Sequence, residues 1–213
     1  MSKSHVANVL RQATAEIVRM RQEGKHRVPR VMPINRVWAM DLTGKADLTG
    51  RQRMMLGVLD HGSRACLRLT ALNDKRSLTI LRELLVTFRR FRLPRRIRVD
   101  NEACFNARLM KVVLRGLGIR LQTTALHCPW QNGRIERFFG TLKQRLDRIA
   151  VVDGHDLRVK LVEFRAWYNH ARPHQHLDGH TPAEVWDGRA KSIKRSRCVR
   201  VWNGHISGWF FPP

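Results

Sequence analysis

The sequence predicts an α/β fold, a mixed sheet of five strands flanked by helices. Three observations carry this. Residues 36–72 hold three strand-like runs in succession, residues 77–123 alternate helical and strand-like patterns, and residues 134–149 repeat apolar side chains at three- and four-residue steps. Consecutive strands followed by alternating helix and strand build one sheet with helices packed on it.

Taken in order, residues 6–23 have a loose helical pattern (Val6, Val9, Leu10, Ala13, Ile17, Met20), and a basic, Pro-marked connector follows over 24–33. Runs 36–42, 54–59 and 65–72, separated by Gly- and charge-bearing turns, read as an antiparallel meander. Leu78, Ile80, Leu81, Leu84, Leu85 and Phe88 make 77–91 a helix. Residues 97–99 form a short buried strand, 106–116 a helix and 119–123 a fifth strand. The stripe Ile135, Phe138, Phe139, Leu142, Leu146 and Ile149 marks the clearest helix, and a further helix covers 156–171. Thr181 before Pro182 is an N-cap for a short helix over 182–186. Residues 191–213 are first basic and then aromatic (Trp202, Trp209, Phe210, Phe211), and the sequence leaves open a small strand unit or an irregular tail. The expected organisation is an N-terminal helical arm and basic linker (1–34), a core (35–152), a helical extension of the core (153–190) and a basic, aromatic tail (191–213).

The chain has 213 residues, 43% hydrophobic and 27% charged, which excludes a disordered polycation. Lys and Arg number 41 against 17 Asp and Glu, a net charge of +24. Nucleic acid is the natural partner of such an excess, because neutralising phosphates releases condensed counterions. The same excess suits a purely architectural protein, so charge names the partner and not the activity. Cys66, Cys104, Cys128 and Cys198 are far apart and form no CxxC pair, so reduced thiols are expected, with neither disulfide nor structural zinc. The first residues lack the apolar stretch of a signal peptide and no run has the length of a membrane span, so a cytoplasmic, nucleoid-associated protein is expected.

Three acids point to chemistry. Asp41 closes one strand-like run and Asp100 another, and Glu136 lies on the helix over 134–149, with 35 residues between Asp100 and Glu136. Mg²⁺ prefers hard oxygen ligands and is held by one or two carboxylates together with substrate phosphates. Two such ions activate an attacking oxygen and steady the leaving one at phosphorus. Singly, each acid has a plainer reading. Asp41 suits a strand-end turn, Asp100 before Asn101 is ordinary turn chemistry, and Glu136 can pair with Arg134 or Arg137. The apolar neighbours of Glu136 predict a semi-buried carboxylate. Lys143 follows it by seven residues, on the same face about 10 Å away.

The segments Val37-Trp38-Ala39-Met40-Asp41-Leu42-Thr43, Leu59-Asp60-His61-Gly62-Ser63-Arg64, Arg98-Val99-Asp100-Asn101-Glu102 and Pro129 to Phe139 resemble the integrase catalytic core of retroviral integrases and insertion-sequence transposases. Tyr168 to His174 and Thr181 to Trp186 resemble the transposase version in particular, so the likeness spans about residues 35 to 187. The resemblance implies a ribonuclease H-like fold, with Asp41, Asp100 and Glu136 as catalytic residues and metal ligands. It implies two Mg²⁺ or Mn²⁺ ions, cleavage at a transposon end and attack of the freed 3′ hydroxyl on target DNA. It further suggests DNA contacts from Lys143, Arg134, Arg137, Asn132, Gln131 and Arg172, with residues 124–133 as a loop that meets DNA. Double-stranded DNA, a homo-oligomer on DNA and a separate end-recognition protein are the implied partners.

Two positions depart from the usual pattern. Gln131 stands where many relatives have Asp, and Glu102 stands where a small residue is frequent, with its side chain expected to point away. Asp60 is read as a turn residue and not as a ligand. His170, His174, His176 and His180 lack ligand spacing for zinc. About 35 residues precede the core where such enzymes commonly carry a helix-turn-helix unit. That shortfall argues for a noncatalytic DNA-binding remnant or for a partner chain that supplies recognition, and a nuclease that cuts without joining, which uses the same acids, is the other alternative.

Overall fold

The computed structural model describes residues 3–14, 16, 18–19, 32–124, 132–190 and 194–212. Most of the expected basic connector, and the loop residues 125–131 with Gln131 among them, lie outside the described residues. The chain divides into two compact units, Met1–Val31 and Met32–Pro213. In the first, helix α1 covers Lys3–Gln12.

The second unit is built on a five-stranded sheet of β1 (Val37–Ala46), β2 (Gln52–Asp60), β3 (Cys66–Leu72), β4 (Arg96–Val99) and β5 (Arg120–Thr123), in the order β3-β2-β1-β4-β5. The first three strands are antiparallel, and β4 and β5 run parallel to β1, so the sheet is mixed as the sequence predicts. β1 and β2 outrun their apolar runs because the ladder continues from Thr43↔Met55 to Ala46↔Gln52.

Side chains alternate across β1. Trp38, Met40 and Leu42 share a core with α2 (Ser77–Phe91), Phe105 of α3 (Ala103–Asn106) and Met110 and Leu114 of α4 (Arg108–Gly116). The single helix expected over 106–116 is broken because Ala107, at ψ 144, leaves helical geometry. On the opposite face, Ala39 packs with α5 (Gly133–Leu146) and α6 (Gly154–His170). Asp41, two residues beyond Ala39, belongs to this second face.

Gly57 on β2, directly opposite Asp41 in the ladder, fixes how close α5 comes. A Cβ at Gly57 would lie 2.7 Å from the Phe139 ring, so the aromatic side chain of α5 rests against bare backbone. The face of α5 that packs inward is Ile135, Phe138, Phe139, Leu142 and Leu146. Asn169, near the end of α6, clamps the irregular register between β2 and β3. Its side chain accepts from Cys66 N–H at 2.8 Å and donates to Cys66 C=O at 2.9 Å.

Beyond α6, a capping box of Thr181 and Glu184 starts α7 (Pro182–Trp186) as predicted. Residues 197–210 then form an antiparallel hairpin, β6 (Arg197–Val201) and β7 (Ile206–Phe210), which settles the strand-or-tail alternative. The hairpin docks on α6. Trp202 stacks on Phe164 and donates to Lys160 C=O, while Trp167 donates to Ser207 C=O at 2.9 Å.

Gly57→Val is expected to destabilise the protein by about 1–3 kcal/mol, since the added side chain must displace the Phe139 ring or the helix carrying it. Denaturant unfolding of the two proteins measures this, with a lower midpoint and an unchanged slope as the expected outcome.

Candidate active site

The fold puts the three acids on the α5 side of the sheet. Asp41 is on the α5 face of β1. Asp100 follows β4 on the same face as Arg98, which is paired with Ala39. Glu136 is in the first turn of α5. Leu42 N–H donates to Asp41 Oδ1 at 2.8 Å and Glu102 N–H to Asp100 Oδ1 at 3.1 Å, so each Asp keeps a second oxygen outside these local bonds. Burial pushes the Asp41 carboxyl up to about 7, against the Leu42 N–H, and the charges of Asp100, Glu102 and Glu136 add to the rise. Burial likewise raises Asp100, with Glu102 adding to it and Lys75 opposing.

Two features differ from what the sequence suggests. Glu136 is exposed and not semi-buried, because Ile135, Phe138 and Phe139 take the inward face of α5 and leave Glu136 on the flank. Glu102, expected to point away, adds its charge to both Asp41 and Asp100 and accepts from the Cys104 thiol at 3.5 Å. Glu102 is therefore a member of the group that sequence reasoning missed. Its only signal was an acid two residues after Asp100.

In donor chemistry the set fits a hard divalent cation, being all carboxylate, crowded and partly buried. As the side chains lie, however, no three His, Cys, Asp or Glu residues among those described stand close enough to hold an ion. Asp60 is fully buried and its oxygens accept from Asn35 N–H, Ser63 N–H and the Ser63 hydroxyl, so it serves the turn after β2.

The basic candidates are dispersed around this group. Lys143 and Arg137 are exposed on α5, and Arg134 in its first turn donates to His61 C=O. Asn132 is 4% exposed and precedes α5 without a side-chain cap; its C=O accepts from Ile135 and Glu136. Arg172 lies over the Trp167 and Tyr168 rings, where cation–π attraction orients its guanidinium. His174 packs edge-on to Tyr168, and the His180 ring meets Leu177 C=O within its own turn.

Because the native state raises Asp41, it keeps a proton between pH 3.8 and about 7 that the unfolded chain has lost. Stability therefore falls as pH rises through that window. Asp41→Asn is expected to stabilise the metal-free protein above pH 7 by up to ~4 kcal/mol, with the gain fading towards pH 4. Denaturant melts of both proteins at pH 4, 6 and 8 check the sign and the window.

Comparison with known proteins agrees with this architecture. The family model described as "Integrase core domain" matches residues 117–182. The putative transposase InsD of insertion element IS2E from Escherichia coli K12 is 31% identical over 106 residues, 48% of this chain and 48% of that protein. The InsD transposase of IS2A/D/F/H/I/K from Escherichia coli is 31% identical over the same length, 35% of that protein. The chain thus spans about half the length of the first relative and about a third of the second. Among solved structures, the magnesium complex of the HTLV-2 integrase catalytic core is 17% identical with a TM-score of 0.59, covering 73% of this chain and 99% of that one. The integrase intasome of simian T-cell lymphotropic virus, solved with the PP2A regulatory subunit B56 gamma, is 19% identical with a TM-score of 0.65, covering 88% and 70%. These neighbours give the fold, ribonuclease H-like, and the matched segment begins before β5 and runs through α5 and α6 to Pro182. Residues 117–182 thus match the integrase core domain, and the chain is similar to InsD transposases in sequence and to integrase catalytic cores in fold.

Proposed function

We propose that this protein is the catalytic part of a DNA transposase that cuts and joins DNA strands by metal-dependent phosphoryl transfer. The observation that carries the reading is the charge that Asp100, Glu102 and Glu136 add at the partly buried Asp41, on the α5 side of an integrase-type sheet in a chain of net charge +24. Carboxylates crowd against their own electrostatics where a cation is to be bound.

In this reading Asp41, Asp100 and Glu136 are the catalytic residues and hold two Mg²⁺ or Mn²⁺ ions. Bound there, the ions supply Lewis acidity and lower the pKa of an attacking hydroxyl. The protein's own residues prepare the site. Leu42 N–H fixes Asp41 through Oδ1, and Glu102 N–H fixes Asp100, so two of the three acids are oriented by backbone before any ligand arrives. Asp41, protonated near neutral pH in the metal-free protein, must release that proton to become a ligand. Metal binding is therefore linked to proton release and weakens below pH 7. Lys143, Arg134 and Arg137 line α5 on the DNA side, with Asn132, Gln131 and Arg172 as further contacts.

Substrates in this reading are double-stranded transposon ends and target DNA, engaged by a homo-oligomer and with a separate end-recognition protein, in the bacterial nucleoid. Residues 1–34 act as an arm, 35–152 as the catalytic core, 153–190 as its extension and 191–213 as a tail domain. Among the described residues no helix is long and apolar enough to cross a membrane.

The test incubates the purified protein with a labelled donor end and a plasmid target in Mg²⁺ or Mn²⁺. Wild type is expected to nick and join, and Asp100→Asn to fall to the level of the protein-free control. Nicking without joined product selects the nuclease alternative. Neither product from wild type, or equal product from the variant, refutes the enzymatic reading.

A further inference from the structure

The turn between β2 and β3 gathers more positive charge than its surroundings neutralise. Arg64 is half-buried and has φ 61, a left-handed conformation that costs a non-glycine residue about 1–2 kcal/mol. Among the described residues its guanidinium makes no hydrogen bond or ion pair. Its electrostatic neighbours are His61, Arg134, Arg137, His174 and the Tyr168 hydroxyl. Asp60 adds its charge at Arg134, and its oxygens already serve Asn35 and Ser63. Guanidiniums this close repel one another unless an anion lies between them.

Two further observations point to a missing ligand. His61 is 4% exposed, and its buried Nε2 has no hydrogen-bond partner; His174 Nε2 is also buried and unpartnered. A buried polar group left without a partner costs about 1–3 kcal/mol, so such groups mark a place for something else to bind. Burial, with Arg134, Arg98 and Arg64 beside it, holds the His61 imidazole down to about 3, so at neutral pH the ring is uncharged and has one N–H to donate. The second observation is the start of α5, 14 residues long, whose N-cap Asn132 makes no side-chain cap bond; the Asn132 C=O takes the Ile135 and Glu136 N–H groups but not those of Gly133 and Arg134.

The position relative to the acids follows from register. Ala39, Arg98 and Gln122 stand in one row across β1, β4 and β5. Asp41 and Asp100 are one step further along the same face, about 6.6 Å away at two residues of strand rise. Arg134 and Glu136 share the first turn of α5. His61, whose N–H donates to Val37 C=O, stands one step before that row and so about 13 Å along the strand from Asp41, and Arg134 joins it from the start of the helix that bears Glu136.

We propose that Arg64, Arg134, His61 and the first turn of α5 form a seat for a phosphate of the nucleic-acid backbone, further along the strand from the phosphate at the carboxylates. The neighbouring reacting phosphate rests on the reading under Proposed function; the seat itself does not. A phosphodiester has the oxygens to accept from the guanidiniums, an imidazole and helix N–H groups together. It carries no sequence information, so the seat fixes the register of a strand without selecting its bases.

The test compares the full chain with Arg64→Gln in binding a fluorescent duplex of arbitrary sequence over a KCl series, without divalent metal. The variant is expected to bind about tenfold more weakly at low salt, and its slope of log affinity against log salt is expected to be smaller by about one. A variant of unchanged thermal midpoint with wild-type affinity and slope overturns the proposal. So does weaker binding with an unchanged slope, which marks an indirect structural effect. Should Arg64→Gln not fold, phenylglyoxal modification of the wild-type protein, read by mass spectrometry, decides the matter. Duplex DNA is expected to shield Arg64 and inorganic phosphate at equal phosphate concentration to shield it less. Equal reactivity with and without DNA overturns the seat, and equal shielding by both assigns a free-anion site and overturns the nucleic-acid assignment. An Arg64-dependent slope in a protein that neither nicks nor joins keeps this seat and refutes the reaction proposed above.

Discussion

The separation between helix α5 and the sheet is set by an absent methyl group. At Gly57 the Phe139 ring lies where any Cβ would stand, and Gly57 is the ladder partner of Asp41. The same helix bears Phe139 and Glu136 on adjacent turns, so the contact that seats the helix also sets the reach of its carboxylate towards β1. Arg134, Lys143 and the whole inward stripe move with it. Core packing at this density transmits small displacements and does not absorb them, so the arrangement of acids and bases is a property of this one layer spacing.

Electrostatically, the protein is divided against itself in a useful way. Acids are scarce, and several have purely structural work: Asp47 with Arg53, Glu83 with Arg68, and Asp60 within its turn. Those acids are satisfied by cations or N–H groups. Asp100, Glu102 and Glu136 instead add their charge at Asp41, which raises the free energy of the metal-free state. On the neighbouring surface the sign is reversed, with guanidiniums gathered around an uncharged His61. Crowded negative beside crowded positive suits a ligand that is itself a cation bound to a polyanion, and each half lowers the strain that the other leaves.

Much of this was legible in the sequence because it depends on periodicity. The five strands, the α5 stripe from Ile135 to Leu146 and the Thr181 cap with Pro182 all write their geometry into residue spacing. Three things were not. Glu136 reads as semi-buried from its apolar neighbours, yet a helix turns about 100° per residue, enough to carry position 136 off the face that Ile135 occupies. The role of Gly57 depends on a ring 82 residues later in the chain, which no local window contains. Arg64 and His61 meet Arg134 and His174 from three separate segments, and in a chain this basic the group is not conspicuous; the buried, unpartnered Nε2 atoms of His61 and His174 distinguish it.

The hairpin of β6 and β7 began as an undecided tail, but Trp202 and Ile206 belong to the same buried cluster as Ala39, Phe138 and Phe164. The aromatic face of α6 is therefore completed by residues that are synthesised some forty positions later. During translation the sheet and its first helices can form while α6 still exposes Phe164 and Trp167, and the layer closes only after residue 206 has been made. A polypeptide released before that point carries every acid of the candidate site but an open aromatic seam.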